Sequence, residues 1–236
     1  MTDPDRFAAF DWDIAAGDLD ARGHALLRGV LSPEECDQLI AGYGEEGAFR
    51  KTVPMARYRF GEGEYRYWDY PLPSLVESLR NGLYPYLVPI VNSWFDKLGI
   101  DPKMPACLAE LKAHCHANGQ TKPTPLILRY GPGGYNTLHQ DLYGEVFFPL
   151  QAVITLNRPG TDFEGGEFVM TEQLPRAQSK ASVLSPGLGD MVVFTTNFRP
   201  VKSARGYYRA RMRHGVSALH SGQRHAVGII FHDAQS

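Results

Sequence analysis

Cysteine is scarce: Cys36, Cys107 and Cys115 are the only three in 236 residues, an odd number without CxxC spacing. Neither a disulfide framework nor a zinc ribbon is expected, and a reducing compartment suits such a chain. Charge of one sign is also lacking, with a formal net charge of -2, so wholesale adhesion to polyanions is not expected, although a local basic surface fits within that total. No apolar run is long enough to span a bilayer. Met1 to Asp13 carries acids where a secretory leader would carry Lys or Arg before an apolar stretch. The expectation is a cytoplasmic protein with no membrane contact.

What is present is an ordinary globular composition, 43% hydrophobic and 21% charged, enough to bury a core without covalent staples. The pattern changes along the chain. Ser32-Pro33-Glu34-Glu35 predicts a helix start, with Ser32 as N-cap, Pro33 in the first turn and Glu35 completing a capping box. A second helical stretch runs from Leu75 to Trp94, with Pro85 and Pro89 expected to kink or divide it, and a third covers Pro105 to Cys115.

From Thr124 onward short apolar segments separated by Gly, Pro and Asn predict strands near 126–130, 146–156, 167–171, 181–184, 190–194, 208–216 and 226–232. The predicted fold class is α+β, a double-stranded β-helix (jelly-roll) core with N-terminal helices packed on it. A mainly helical supporting region at 1–120 precedes a catalytic core at 121–236, the two forming a single structural unit.

His139-Gln140-Asp141 places an imidazole and a carboxylate two residues apart, so on extended backbone both side chains leave one face. Two histidines and a carboxylate on one face of an octahedron suit iron(II) and leave positions for cosubstrate and O2. The third ligand is expected at His214, where Met212, His214 and Val216 alternate with Arg211, Arg213 and Gly215; His220 is its rival. Arg224, ten residues after His214, could grip a distal carboxylate through two parallel hydrogen bonds. His225 and His232 read as exposed or satisfied strand histidines, and His114-Cys115-His116 as structural.

The run from Arg129 to Asp141, RYGPGGYNTLHQD, resembles the RYxPGxxxxLHQD segment of AlkB-type nucleic-acid demethylases, and GDMVVF at 189–194, His214-Gly215-Val216 and Arg224 follow in the same order. The Gly165-Gly166-Glu167-Phe168 turn and the spacing from the last histidine to a basic residue are shared with prolyl-hydroxylase-like enzymes. Both branches lie in the 2-oxoglutarate/iron(II) dioxygenase superfamily. The resemblance implies Fe(II), 2-oxoglutarate and O2 as cofactor and cosubstrates, His139, Asp141 and His214 as metal ligands, Arg224 as the 2-oxoglutarate anchor and Tyr130 as a hydroxyl assisting it.

It also implies hydroxylation of a C–H bond with release of succinate and CO2. Departures from both patterns leave the substrate open. Leu128 and Ile230 stand where AlkB-type enzymes usually have Asn and a second Arg, and Tyr135 sits four residues before the ligand histidine, not three. A methylated or alkylated nucleic-acid base is one expectation; a peptide side chain such as prolyl, or a small metabolite, is the other. Candidate substrate-binding residues are Tyr135, Asn136, Arg209, Arg211 and Arg213. Arg199 to Arg213 has no acid and reads either as a solvated strand face or as a phosphate track. A second basic and aromatic cluster, Arg57 to Trp68, reads as aromatics buried in an α/β interface, with stacking on a base or a peptide as the alternative. A jelly-roll module that keeps metal without turnover is the non-enzymatic reading.

Overall fold

The computed structural model describes residues 6–142 and 144–236; the first five residues of the acidic N-terminus lie outside them. Four helices, α1 (Trp12–Arg22), α2 (Pro33–Ala41), α3 (Ser74–Leu98) and α4 (Leu108–Ala117), are joined by strands β1 (His24–Leu27), β2 (Phe49–Pro54), β3 (Gly61–Glu62) and β4 (Glu64–Trp68). The rest is extended: β5 (Leu126–Tyr130), β6 (Tyr135–His139), β7 (Leu150–Thr155), β8 (Phe163–Gly165), β9 (Phe168–Gln173), β10 (Lys180–Leu184), β11 (Met191–Thr195), β12 (Phe198–Ser203), β13 (Gly206–Val216), β14 (Leu219–Gly222) and β15 (Arg224–Ile229). None of the described helices is long and apolar enough to cross a membrane.

The predicted capping box closes: Ser32 Oγ accepts from Glu35 N–H while the Glu35 carboxylate accepts from Ser32 N–H. Of the expected kink or division of α3, the division does not occur. The helix runs unbroken over 25 residues with Pro85 and Pro89 inside it. Both prolines are exposed, as is Asn81, so the carbonyls that lose their i+4 donors lie on the water side, where solvent can satisfy them. Leu83, Leu87, Val91 and Trp94 hold the other side in the core. The first half is also less helical than expected, because β1 to β4 add to the sheets.

Seven strands pair in the order β1-β11-β7-β15-β5-β4-β2, and a smaller sheet runs β10-β9-β13-β6-β3 with β12 also on β13. Every ladder between these named strands is antiparallel. The larger sheet is covered on both faces. Ala152, Ile154, Val193 and Val227 pack with α3 on one side, and Val153, Val192, Phe194 and Ala226 meet Phe168, Met170 and Met212 of the smaller sheet on the other. Two-sided burial explains why β7 and β11 read as continuous apolar runs. The sheets facing across this second cluster form the double-stranded β-helix.

Arg80 ties α3 to the segment after β15. Buried in the core, it donates to the carbonyls of Ile230 (2.9 Å) and Phe231 (2.7 Å) and to Asp233 Oδ1 (2.7 Å). Tyr70 Oη and His116 Nε2 complete the shell around the fully buried Asp233 carboxylate.

Candidate metal and cosubstrate site

The ligand candidates meet because β6 and β13 are neighbours with His139 and His214 in register. His214 is also opposite Met170 of β9, so its imidazole is directed between the sheets, against Phe194 at 4.6 Å between ring centroids. The ladder shifts register between His214 and Val216. Gly215 makes this possible: a Cβ there would stand 2.6 Å from the Asn136 carbonyl oxygen. Asp141 lies just beyond β6, so the strand geometry predicted for the whole His-x-Asp unit holds only as far as His139.

His139 Nε2 is 3.4 Å from Asp141 Oδ1, and His214 Nε2 is 3.4 Å from Asp141 Oδ2. One ligand atom from each of the three lies within 4.8 Å of the others. His139 Nδ1 is held 2.7 Å from the Thr137 carbonyl, an acceptor that fixes the proton there and turns the Nε2 lone pair to the centre. Burial lowers the His214 pKa, helped by the neighbouring His139 and opposed by Asp141; a neutral imidazole is the form that binds metal. The donor set, two nitrogens and one carboxylate with an open side to a cavity, fits a facial iron(II) site.

Gln140, between the ligand candidates, falls on the Gln of the LHQD motif but was given no role from the sequence. Its amide donates to the carbonyls of Asn197 (2.9 Å) and Met212 (2.8 Å). That clamps the turn carrying His139 and Asp141 to the strand carrying His214.

A cavity of about 250 Å³ opens from the triad and reaches Tyr130 and Arg224. Its walls include Leu126, Leu128, Val153, Phe168, Phe194 and Ala226. Arg224 begins β15 directly opposite Tyr130 of β5. It is 2% exposed, with its guanidinium 5.6 Å from the Tyr130 ring centroid and 6.0 Å from that of Phe163. Among the described residues Arg224 makes no side-chain hydrogen bond and no ion pair. Burial lowers its pKa, with Tyr130 and Glu167 opposing. Tyr130 Oη is likewise buried, and Asn136 stands beside it without closing a hydrogen bond. Burial pushes this hydroxyl up to about 12, against the pull of Arg224.

A buried cation and a buried hydroxyl without partners, facing one cavity, form a cradle for a carboxylate. The Gly165-Gly166 turn makes room for it, since a Cβ on Gly166 would stand 3.0 Å from Arg224 Cδ. The Gln151 side-chain nitrogen is also buried without a partner among the described residues, and Gln151 lines the same cavity. It too escaped the sequence reading, since an apolar strand gives no sign of which face a lone amide takes.

Asn136 lines the cavity, whereas Tyr135 is 39% exposed and does not. Arg209, Arg211 and Arg213 are exposed and outside the cavity, because they alternate with buried Ala210, Met212 and His214. The acid-free run is interrupted structurally by Arg199, which is buried and paired with Glu172. His220 is exposed on β14, paired with β8, and is not part of the metal-competent group. His225 and His232 make internal hydrogen bonds instead. His225 Nδ1 lies 3.2 Å from Asn157 Oδ1, which also accepts from the His225 backbone N–H, and His232 Nδ1 accepts from Phe148 N–H; both are buried, not exposed, and His232 lies past the end of β15. In the second basic and aromatic cluster Tyr67 and Trp68 are buried as expected, but Tyr58 is 47% exposed.

Residues 63–234 match the family model Oxygenase-NA, described as an oxygenase catalysing oxidative methylation of damaged DNA. Two uncharacterized proteins of Mycobacterium tuberculosis, from strains CDC 1551 and H37Rv, are each 50% identical over 164 residues, 70% of this chain and 70% of theirs. The crystal structure of a Pseudomonas putida prolyl-4-hydroxylase is similar with a TM-score of 0.58 at 15% identity, over 95% of this chain and 100% of that one. A 2OG-Fe(II) oxygenase family oxidoreductase from Burkholderia pseudomallei gives a TM-score of 0.54 at 17% identity, over 96% and 94%. At these identities the two crystal structures speak for the fold. The family match covers most of the chain, which therefore belongs to the Oxygenase-NA family, enzymes of the 2-oxoglutarate/iron(II) oxygenase superfamily that use Fe(II), 2-oxoglutarate and O2.

Proposed function

We propose that this enzyme hydroxylates the alkyl group of a methylated or alkylated nucleic-acid base, releasing succinate and CO2, with His139, Asp141 and His214 holding the iron and Arg224 and Tyr130 the cosubstrate. The observation that carries the site assignment is the unpaired, buried Arg224 guanidinium sharing one cavity with the triad. A buried charge persists only where something compensates it, and the distal carboxylate of 2-oxoglutarate supplies that compensation in the bound enzyme.

When bound, Fe(II) and 2-oxoglutarate together supply the oxidising power that converts O2, the keto acid and a C–H bond into succinate, CO2 and an alcohol. The chain does the rest. His139 and His214 offer neutral imidazole nitrogens and Asp141 a carboxylate oxygen, while Gln140 keeps the two halves of that set in place. Arg224 and Tyr130 orient the cosubstrate. Apolar walls keep water from the reacting centre, and the unpaired Gln151 side-chain nitrogen adds a polar contact beside them, the combination that suits a flat heteroaromatic ring. The damaged-DNA description of the family supports a base as the substrate.

The test is incubation of the purified enzyme with Fe(II), 2-oxoglutarate, O2 and a methylated single-stranded oligonucleotide, followed by mass spectrometry. The expected result is succinate formed stoichiometrically with formaldehyde, as the hydroxylated N-methyl group breaks down to leave the unmethylated base. Succinate formed only with peptide or small-molecule substrates, and an unchanged oligonucleotide, would assign the enzyme to the peptide or metabolite hydroxylases instead.

A further inference from the structure

Arg209, Arg211 and Arg213 occupy every second position of β13 and are exposed. Successive side chains on a strand point to opposite faces, so the three share the face turned away from His214, with about 7 Å between neighbours. Several arginines elsewhere in the protein have acids beside them: Arg6 has Glu35, Arg66 has Glu64, Arg80 has Asp233 and Arg199 has Glu172, whereas Arg50 and Arg224 form no ion pair among the described residues. The row on β13 has none among the described residues. The residues opposite it are uncharged, Pro200 for Arg209, Phe198 and Gln173 for Arg211, and Thr171 for Arg213.

The row also leads to the cavity. Arg211 Nη2 donates to Gln140 Oε1 at 3.4 Å, and Gln140 lines the cavity between two ligand candidates. In the other direction Lys202 and Arg205, both exposed, continue the positive charge around the β12–β13 hairpin. In a chain whose net charge is -2, this is a local concentration of cations that no acid of the described residues neutralises, although Arg209 also lies over the Phe198 ring at 4.9 Å.

We propose that the outer face of β13 is a track for the sugar–phosphate backbone of a single-stranded nucleic acid whose target base turns into the cavity. The inference rests on the base-oxidation reading above. An evenly spaced row of cations on an extended strand complements a linear polymer with one charge per unit. A single strand is favoured because its bases leave the stack at little cost.

The test measures binding of a fluorescent, unmethylated single-stranded oligonucleotide by anisotropy across a salt series. Three proteins are compared: the wild type, the triple variant Arg209→Gln/Arg211→Gln/Arg213→Gln, and the matching triple lysine variant, each checked for an unchanged thermal midpoint. The wild type is expected to bind with a steep salt dependence. The glutamine variant should lose about 2 from the slope of log K against log salt, at roughly 0.7 per phosphate contact, and the lysine variant should keep most of it.

Wild-type binding that survives the glutamine variant with the same slope overturns the track and leaves the base reading standing. No binding by the wild type also overturns the track, and the base reading is then decided by the succinate assay with the methylated oligonucleotide. Equal, salt-dependent binding of polyglutamate overturns the nucleic-acid assignment in favour of an acidic peptide.

Discussion

A guanidinium taken out of water without an ion-paired acid destabilises a core, and Arg224 is such a group, with Glu167 acting on it only as a charge nearby. Two consequences follow, of opposite sign. Arg224→Met should leave the ligand-free protein as stable as the wild type or more so, because a desolvated charge disappears. The same change should weaken 2-oxoglutarate binding by about 3 kcal/mol, roughly 100-fold, for two charge-assisted hydrogen bonds lost. Urea unfolding without cosubstrate and calorimetric titration with it read the two effects separately. A less stable apoprotein with unaltered 2-oxoglutarate affinity would mean that Arg224 is a structural residue. Its neighbour Tyr130 belongs to the same cradle, and its place opposite Arg224 in the β5–β15 ladder follows from register alone.

At the scale of elements, the attachment of α3 to the end of the sheet depends on Asp233. Asp233→Ala leaves Arg80 charged and buried, and should cost about 3–5 kcal/mol, read as a fall in the thermal midpoint. Replacing both partners, Arg80→Met with Asp233→Leu, should recover much of that loss; failure to recover would place the stability in the surrounding hydrogen bonds. No sequence pattern announced this pair, since the two residues are distant in the chain and neither sits in a motif. Other elements were plain. The α2 capping box and β5 stand where Ser32-Pro33-Glu34-Glu35 and the run from Leu126 to Tyr130 put them.

Helix α1 and strands β1 to β4 were missed for a different reason. Asp11 does cap α1 and Gly23 ends it with φ 77°, but the helix between them buries little, so its apolar period is faint. Strands β2 and β4 are short and partly exposed, and their pairing depends on β5, which comes much later in the sequence. At the site, local spacing pointed to His139 and Asp141, which the structure brings together with His214. The outward placing of Arg209, Arg211 and Arg213 was implicit in the alternation that put His214 inward, and Gln140 and Gln151 became visible only once β6, β7 and β13 were brought together.

For the whole molecule, buried histidines make stability depend on pH. Burial pulls both His225 and His232 down to about 4, against an ordinary value near 6.5 in the unfolded chain. The unfolded state therefore takes up protons first as pH falls. Stability is fully present above about 6.5 and is lost down to about 4, at up to about 1.4 kcal/mol per pH unit for each imidazole. Urea midpoints at pH 7.5, 6 and 5 should fall in that order, and a flat profile would place the two rings in water.

The same packing of two sheets that buries these rings also brings His139 and Asp141 to His214 across the β6–β13 ladder. The central claim, that these three side chains hold one iron, is tested most directly by anaerobic Fe(II) titration of the metal-free protein. The wild type and His220→Ala should each bind one equivalent tightly, and His139→Ala, Asp141→Ala and His214→Ala should each lose that binding. Tight, stoichiometric binding that survives His214→Ala, or is lost in His220→Ala, would contradict the account.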